Sequence, residues 1–120
     1  MMEFLKRLLG QRPSEPERRR ALRVAAPPNS ANVSLDGASY PIKNWSMYGF
    51  LAGGYAGPLV VGDTCRVSVD IRQEPFVIAF ATEVVIMRRE GSDMAGRFVS
   101  LPTESKSLID AYFSFHSRVA

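Results

Sequence analysis

The chain has little of the chemistry that metal sites and nucleophilic enzymes use. It contains one cysteine, Cys65, and one histidine, His116, in 120 residues. A single cysteine cannot form a disulfide within the chain, which favours a reducing compartment. Cys65 lies on the apolar side of an alternating segment, so we expect a core residue. His116 lies on the apolar stripe of the last predicted helix, so we expect a packing or interface residue. No spacing supports a Cys–His pair or a metal site.

Other signatures of catalysis are also missing. No glycine-rich phosphate loop precedes a helix, because GGYAG at 53–57 follows a predicted strand and is interpreted as a turn. The acidic residues of the body are scattered over predicted turns and polar strand faces: Asp63, Asp70, Glu74, Glu83 and Glu90. We therefore predict that the protein is not an enzyme and has no catalytic residues, metal ion or cofactor.

Long apolar runs are absent as well. The most apolar stretch, FLAGGYAGPLVVG at 50–62, is interrupted by glycines and a proline, which predicts no membrane span. The opening segment, MMEFLKRLLG, has an acidic residue and too short an apolar run for a secretory signal. Together these features predict a cytoplasmic protein.

Positive charge is concentrated at one end of the chain. Residues 1–23 hold seven basic and three acidic side chains, a net charge of +4, whereas the remaining residues hold eight basic and nine acidic ones. A protein that binds nucleic acid over its whole surface would spread its charge over one face of the fold. The distribution instead indicates a basic arm on a nearly neutral body, so we expect no specific nucleic acid partner.

A short N-terminal segment precedes a single predicted domain, and the last residues of the basic arm belong to that domain. Residues 3–9, EFLKRLL, have the pattern of a short amphipathic helix, which is marginal on its own in water. Residues 10–17, GQRPSEPE, contain two prolines and mixed charge, as is typical of a linker. We therefore divide the chain into a flexible segment and linker at 1–16 and one domain at 17–120.

From residue 23 onward the pattern is that of short strands. ANVSL at 31–35 meets the hairpin signal DG, and the returning segment contains Pro41, which argues for an edge or a bulge. The only tryptophan, Trp45, is expected to face the core. Segment 64–72 alternates, and its apolar side consists of Cys65, Val67, Val69 and Ile71. Segment 76–90 is predicted to be one bent strand or two, and 95–101 a further strand.

The last segment changes to helical spacing. After PTES, which offers Thr103 or Ser105 as the N-cap, the apolar stripe consists of Leu108, Ile109, Tyr112, Phe113 and His116. The predicted fold is therefore mainly β: an antiparallel barrel of six or so strands, closed by one C-terminal α-helix.

Two short motifs indicate a binding function for the arginine cluster. Arginine suits bidentate recognition of phosphate and of the guanine O6/N7 edge, although a basic run alone equally fits a solvated tail or a non-specific RNA contact. RRALR supplies Arg19 and Arg23 in the pattern R-x-x-x-R, and NWSMYG supplies Asn44, Ser46 and Gly49 in [DN]-x-S-x-x-G. Together, in this order, these motifs resemble the signature of the PilZ domain family. The tail AGRFVSLPTESKSLIDAYF is similar to the family's last strand and closing helix, and the resemblance covers about residues 17 to 116.

The resemblance implies a six-stranded antiparallel PilZ-type β-barrel that binds the bacterial messenger cyclic di-GMP. Arg19 and Arg23 would contact phosphate and a guanine Hoogsteen edge. Asn44 would face the guanine N1/N2 edge or hold the arm, and Ser46 would offer its hydroxyl to a phosphate or a base. Gly49 would permit a special backbone conformation or a close approach, or is a simple turn glycine.

The resemblance also implies a signalling role. Arg18, just before the motif, would favour a stacked ligand dimer, whereas Arg20 is expected to face solvent. The ligand would order the arm, and a downstream effector protein would read the new surface in control of motility, biofilm or exopolysaccharide. The alternatives are a PilZ-like interaction module that binds no nucleotide, and a small barrel for single-stranded nucleic acid, which needs exposed aromatics beside basic residues.

Overall fold

The computed structural model describes the backbone of residues 22–119 and the side chains of residues 22–117. Arg18, Arg19, Arg20 and the expected boundary between residues 16 and 17 lie outside this range. The described elements are β1 (Val24–Ala25), β2 (Ala31–Leu35), β3 (Ala38–Ser46), β4 (Gly49–Ala52), β5 (Thr64–Gln73), β6 (Phe76–Glu90), β7 (Asp93–Phe98) and α1 (Thr103–Val119). Within this range no helix is long and apolar enough to cross a membrane.

Six of the strands form a closed antiparallel barrel. They pair in the order β3-β2-β5-β6-β7-β4, and β4 pairs back with β3, so the ladder has no free edge. The predicted six-stranded barrel with one C-terminal helix is confirmed. A seventh strand, β1, lies outside the barrel and pairs Val24 with Trp45 and Ala25 with Asn44. It was not predicted, because a strand of two residues is too short to show an alternation of apolar and polar side chains.

The turns follow local sequence chemistry. Asp36 and Gly37 join β2 to β3 with φ values of 51° and 78°, which is the two-residue hairpin that the DG signal predicts. Pro41 lies where β3 changes partner: its pairing with β2 ends there, and its pairing with β4 begins at Ile42, with a register shift before Asn44. An irregularity in β3 is therefore present as predicted, but it lies between Ile42 and Asn44 and not at Pro41, which pairs with Asn32.

The core forms where the inward faces of the strands meet α1. Val67, Val69 and Ile71 are buried as predicted, whereas Cys65 is only partly buried at the margin of the core. Trp45 is fully buried, and its ring centroid lies 4.6 Å from that of Phe113 and 5.1 Å from that of Tyr112. The expected inward orientation of Trp45 is therefore confirmed, and its indole anchors α1 to the barrel.

Two predictions of detail were wrong. Strand β7 spans Asp93–Phe98 rather than 95–101, because Asp93 already pairs with Glu90 across a two-residue turn, and Val99 turns to donate to the carbonyl of Glu83. Leu108 is 41% exposed, whereas Ile109 is buried one position later. The helix contacts the barrel through a narrower stripe than the sequence pattern indicated.

Candidate functional site

The turn between β3 and β4 fixes the position of Ser46. Its hydroxyl accepts a hydrogen bond from the backbone N–H of Tyr48 at 3.1 Å, and it is 2% exposed. A serine that bonds the backbone two residues ahead stabilises a tight turn. Arg23 reaches the same oxygen from the other side, with its Nη1 at 3.5 Å, which is a long contact. Ser46 therefore both shapes the turn and touches the entering chain.

Gly49 is required by close packing of two strands. It pairs with Arg97 of β7, and a Cβ built on Gly49 would collide with the carbonyl oxygen of Gly96. A Cβ on Gly96 would in turn lie 2.9 Å from the ring of Phe50. This geometry agrees with the close approach expected at Gly49 and not with a simple turn glycine.

Arg23, Ser46 and Gly49 lie together on one open cleft of about 500 Å³. The cleft runs between the β3–β4 turn and the paired strands β6 and β7. Its other lining residues are Tyr48, Phe50, Met87, Arg88, Ala95, Gly96 and Arg97. Of all the described lining residues, three are arginines (Arg23, Arg88 and Arg97) and none is acidic, so the described lining is cationic.

A bulge in β6 brings Arg88 to this cleft. Ile86 pairs with Gly96, but the next pair joins Arg88 to Ala95, which leaves Met87 as an extra residue. An extra residue reverses the alternation of the strand beyond it. Met87 and Arg88 are therefore both exposed and both line the cleft, whereas Arg89 turns to the other side.

The arginines of the cleft oppose one another. Partial burial, and then the charge of Arg88, lower the pKa of Arg23, although a guanidinium stays protonated at neutral pH. Arg88 approaches Glu90 at 4.0 Å, but both side chains are more than half exposed, and such pairs contribute little. An anion placed between Arg23 and Arg88 would relieve their repulsion.

Comparisons with known proteins identify the architecture. No family model and no curated protein match the sequence. Among solved structures, the inhibitor of motility MotI/DgrA of Bacillus subtilis matches with a TM-score of 0.65 at 15% identity, over 88% of this chain and 56% of that one. YcgR of Escherichia coli in complex with c-di-GMP matches with a TM-score of 0.60 at 19% identity, over 86% and 48%. Both are PilZ domain proteins. The chain has the PilZ-type barrel fold.

A third structure with this fold is the uncharacterized protein Lpg0364 of Legionella. It matches with a TM-score of 0.52 at 16% identity, over 82% of this chain and 92% of that one. The PilZ-type barrel described here therefore spans most of Lpg0364 but only about half of MotI/DgrA and of YcgR. At these identities the likeness concerns the fold alone.

Asn44 lies beside the cleft of the PilZ-type barrel rather than on its lining. It shares the outward side of β3 with Ser46, since Trp45 between them points inward. Its Oδ1 is buried and has no hydrogen-bond partner among residues 22–119. A buried acceptor without a donor is costly, so this oxygen is suited to receive an N–H from a ligand or from the arm.

Arg89 has a structural role in the PilZ-type barrel. Its Nη1 donates to the carbonyls of Leu59 and Gly57, and its guanidinium lies 4.7 Å from the ring centroid of Tyr55. The hydroxyl of Tyr55 accepts a hydrogen bond from the N–H of Leu59 at 3.3 Å. Arg89 therefore holds the loop at 53–63 in place.

The cysteine and the histidine have the surroundings expected of packing residues. Burial, and then the nearby carboxylates of Asp36, Asp63 and Glu83, raise the pKa of the Cys65 thiol, which disfavours the reactive thiolate. His116 bonds the carbonyl of Tyr112 through Nδ1 at 2.9 Å and lies 3.3 Å from the amide of Gln73 through Nε2. Among residues 22–119, no group of three or more His, Cys, Asp or Glu side chains is placed to hold a metal ion.

Sequence reasoning missed three polar residues of the cleft: Tyr48, Arg88 and Arg97. Arg97 carried a usable signal, because it alternates with the buried residues Gly96 and Phe98 and pairs with the motif residue Gly49. Arg88 did not, because regular alternation from Ile86 would have turned Arg88 inward and Arg89 outward.

Proposed function

We propose that this PilZ-type barrel is a receptor for cyclic di-GMP, the ligand in the YcgR complex. The observation that carries the proposal is the cleft in which Arg23 and Arg88 meet beside Ser46, with no acidic residue among the described lining. A cationic cleft of about 500 Å³ has the size of a small-molecule site. Cyclic di-GMP offers it two phosphates and two guanine bases.

The described residues divide the recognition between them. Arg23 and Arg88 contact phosphate oxygens or the O6/N7 edge of a guanine, since a guanidinium suits both. The hydroxyl of Ser46 bonds a phosphate or a base. Gly49 allows β4 and β7 to pack closely at the cleft. Tyr48 provides an aromatic ring at the rim, which suits stacking on a base.

The arm completes the site. Arg19 lies four residues before Arg23, close enough along the chain to reach the same ligand, and Arg18 next to it provides the charge for a second, stacked molecule. The buried Oδ1 of Asn44 accepts an N–H from the guanine N1/N2 edge or from the arm. Ligand binding then orders the arm against the barrel, and an effector protein in the bacterial cytoplasm recognises the resulting surface.

Isothermal titration calorimetry of the intact chain with cyclic di-GMP tests this proposal. Replacing Arg23 by alanine removes a hydrogen bond to a charged group, about 1.5–3 kcal/mol, so we expect an affinity loss of about tenfold or more. Arg19→Ala is expected to behave alike. Arg72→Ala is the matched control, because this arginine is exposed on β5 and pairs with Asp70.

Two results would contradict this proposal. Absence of binding heat with the intact chain refutes binding itself, whereas unchanged affinity in Arg19→Ala and Arg23→Ala refutes the arginine site through which we propose that the receptor works. Titration with a single-stranded oligonucleotide at two salt concentrations separates the nucleic acid alternative, because backbone-driven binding weakens steeply with salt.

A further inference from the structure

A second depression shares no lining residue with the cleft. It encloses about 620 Å³ and is lined by Leu22, Met47, Asp110, Phe113, Ser114 and Ser117. The last four follow the spacing i, i+3, i+4, i+7, so they form one face of α1. Leu22 and Met47 form the facing wall. We call this depression the helix groove.

The helix groove and the cationic cleft share their backbone. Arg23 lines the cleft while its neighbour Leu22 lines the groove, and Ser46 lines the cleft while its neighbour Met47 lines the groove. Two adjacent pairs of residues thus divide their side chains between the two sites. A displacement of either backbone segment changes both sites together.

We propose that residues 3–9 of this same chain, EFLKRLL, bind in the helix groove as a short helix. The chain enters the described structure at Leu22, which is itself a wall of the groove. The 12 residues from 10 to 21 can span about 40 Å when extended, so the segment can fold back onto its own domain.

The segment and the groove are complementary in polarity. On a helix, Phe4, Leu5, Leu8 and Leu9 form one apolar stripe at i, i+1, i+4 and i+5. Such a stripe fits the apolar part of the lining, which consists of Leu22, Met47 and Phe113. Lys6 and Arg7 flank the stripe, and the exposed Asp110 at the groove offers them a carboxylate.

Docking also overcomes the weakness of the isolated segment. Seven residues do not sustain a helix in water without tertiary contacts, so burial of the stripe supplies the stabilisation. In this arrangement, and resting here on the proposed function, cyclic di-GMP that shifts Arg23 within the cleft moves Leu22 and changes the occupancy of the groove. The docked segment is then the part of the molecule that reports ligand binding.

Nuclear magnetic resonance of the full chain, with labelled methionine and leucine methyl groups, tests the docking. We expect nuclear Overhauser contacts between the methyl group of Met47 and those of Leu5 or Leu8. The double variant Leu5→Asp with Leu8→Asp loses these contacts and shifts the Met47 methyl resonance. The matched control is Gln11→Asp with Ser14→Asp, which adds the same charge to the linker and preserves the contacts.

Asp110→Lys tests the contribution of α1 to the groove. Because this variant replaces the carboxylate offered to Lys6 and Arg7 by a positive charge, it is expected to shift the Met47 resonance toward its position in the double aspartate variant. Absence of the contacts in the intact chain, or a Met47 resonance unchanged by Leu5→Asp with Leu8→Asp, overturns the proposal. Contacts that form only between differently labelled molecules in a mixed sample also overturn it, because the occupant is then a second copy. These measurements need no ligand, so absence of cyclic di-GMP binding refutes the receptor function alone.

Discussion

Two neighbouring regions of the barrel use arginine in opposite ways. Arg89 of β6 donates to backbone carbonyls of the loop at 53–63 and lies over the ring of Tyr55 in that loop. In the cleft one residue away, Arg88 faces Arg23, and its approach to Glu90 is long and exposed. The first arginine is held by the protein through its Nη1 and its ring contact, although its buried Nε has no hydrogen-bond partner among residues 22–119, whereas the second belongs to a pair of like charges. Both residues are arginines, so their contacts, and not their residue type, distinguish the structural role of Arg89 from the availability of Arg88 to an anion.

The largest expected effect is on stability, and it concerns the structural arginine Arg89. Arg89→Ala removes two hydrogen bonds from a charged donor and the contact with Tyr55, so we expect a loss of about 2–4 kcal/mol in the free energy of unfolding. Urea denaturation followed by tryptophan fluorescence measures it. The exposed variant Arg72→Ala should cost less than about 1 kcal/mol. Equal losses in the two variants would contradict the structural role of Arg89.

Gly49→Ala tests how tightly the floor of the cleft is built. Its Cβ meets the backbone carbonyl of Gly96, which cannot move without separating β4 from β7. We expect a cost of about 1–3 kcal/mol, as for other overpacked sites. Thermal unfolding by circular dichroism measures it, and a melting temperature equal to that of the intact protein would show that the strands do not approach as closely as described.

Arg88→Ala is expected to separate binding from stability. The variant removes a cation from the cleft but no well-formed hydrogen bond, so the melting temperature should stay within about 2 °C. Affinity for cyclic di-GMP should fall about tenfold. Arg88→Lys keeps the charge but loses the planar guanidinium, so its affinity for cyclic di-GMP should lie between those of the intact protein and Arg88→Ala. Unchanged affinity in Arg88→Ala would limit the site to the two sequence motifs.

The smallest expected effect concerns salt. Because Arg23 and Arg88 repel, raising the salt concentration should screen the pair and stabilise the ligand-free protein by about 0.3 kcal/mol, a value kept low by solvent exposure. Arg88→Met should lose this part of the salt dependence. Chemical denaturation in urea at low and high sodium chloride compares the two proteins, and parallel salt dependences would argue against repulsion in the cleft.

The fold was predictable because its signals are local. The DG dipeptide fixes one hairpin, alternation at Val67, Val69 and Ile71 fixes one buried face, and helical spacing at the end fixes α1. The motif residues Arg23, Ser46 and Gly49 then meet in one cleft because β3, β4 and the entering chain pair directly. Their use in binding cyclic di-GMP stays a prediction, as do the roles of Arg18, Arg19 and Asn44.

The remaining features depend on long-range geometry. The bulge at Met87 arises from the pairing of β6 with β7, and no pattern within β6 indicates it. It decides which of the two arginines, Arg88 or Arg89, faces the cleft. The exposure of Leu108 likewise depends on how much of α1 the barrel touches, which is a property of the packed structure.

The outer strand β1 limits the distance between the cleft and the residues that precede the strand. Val24 and Ala25 are paired to β3, so the preceding residue, Arg23, is held at the cleft that it lines. Arg19, four residues before Arg23, therefore stays within about 15 Å of it along any path of the chain. A group tethered this closely has an effective concentration in the millimolar range or above. Contact between the arm and a bound anion is then an intramolecular step that does not depend on the concentration of the protein.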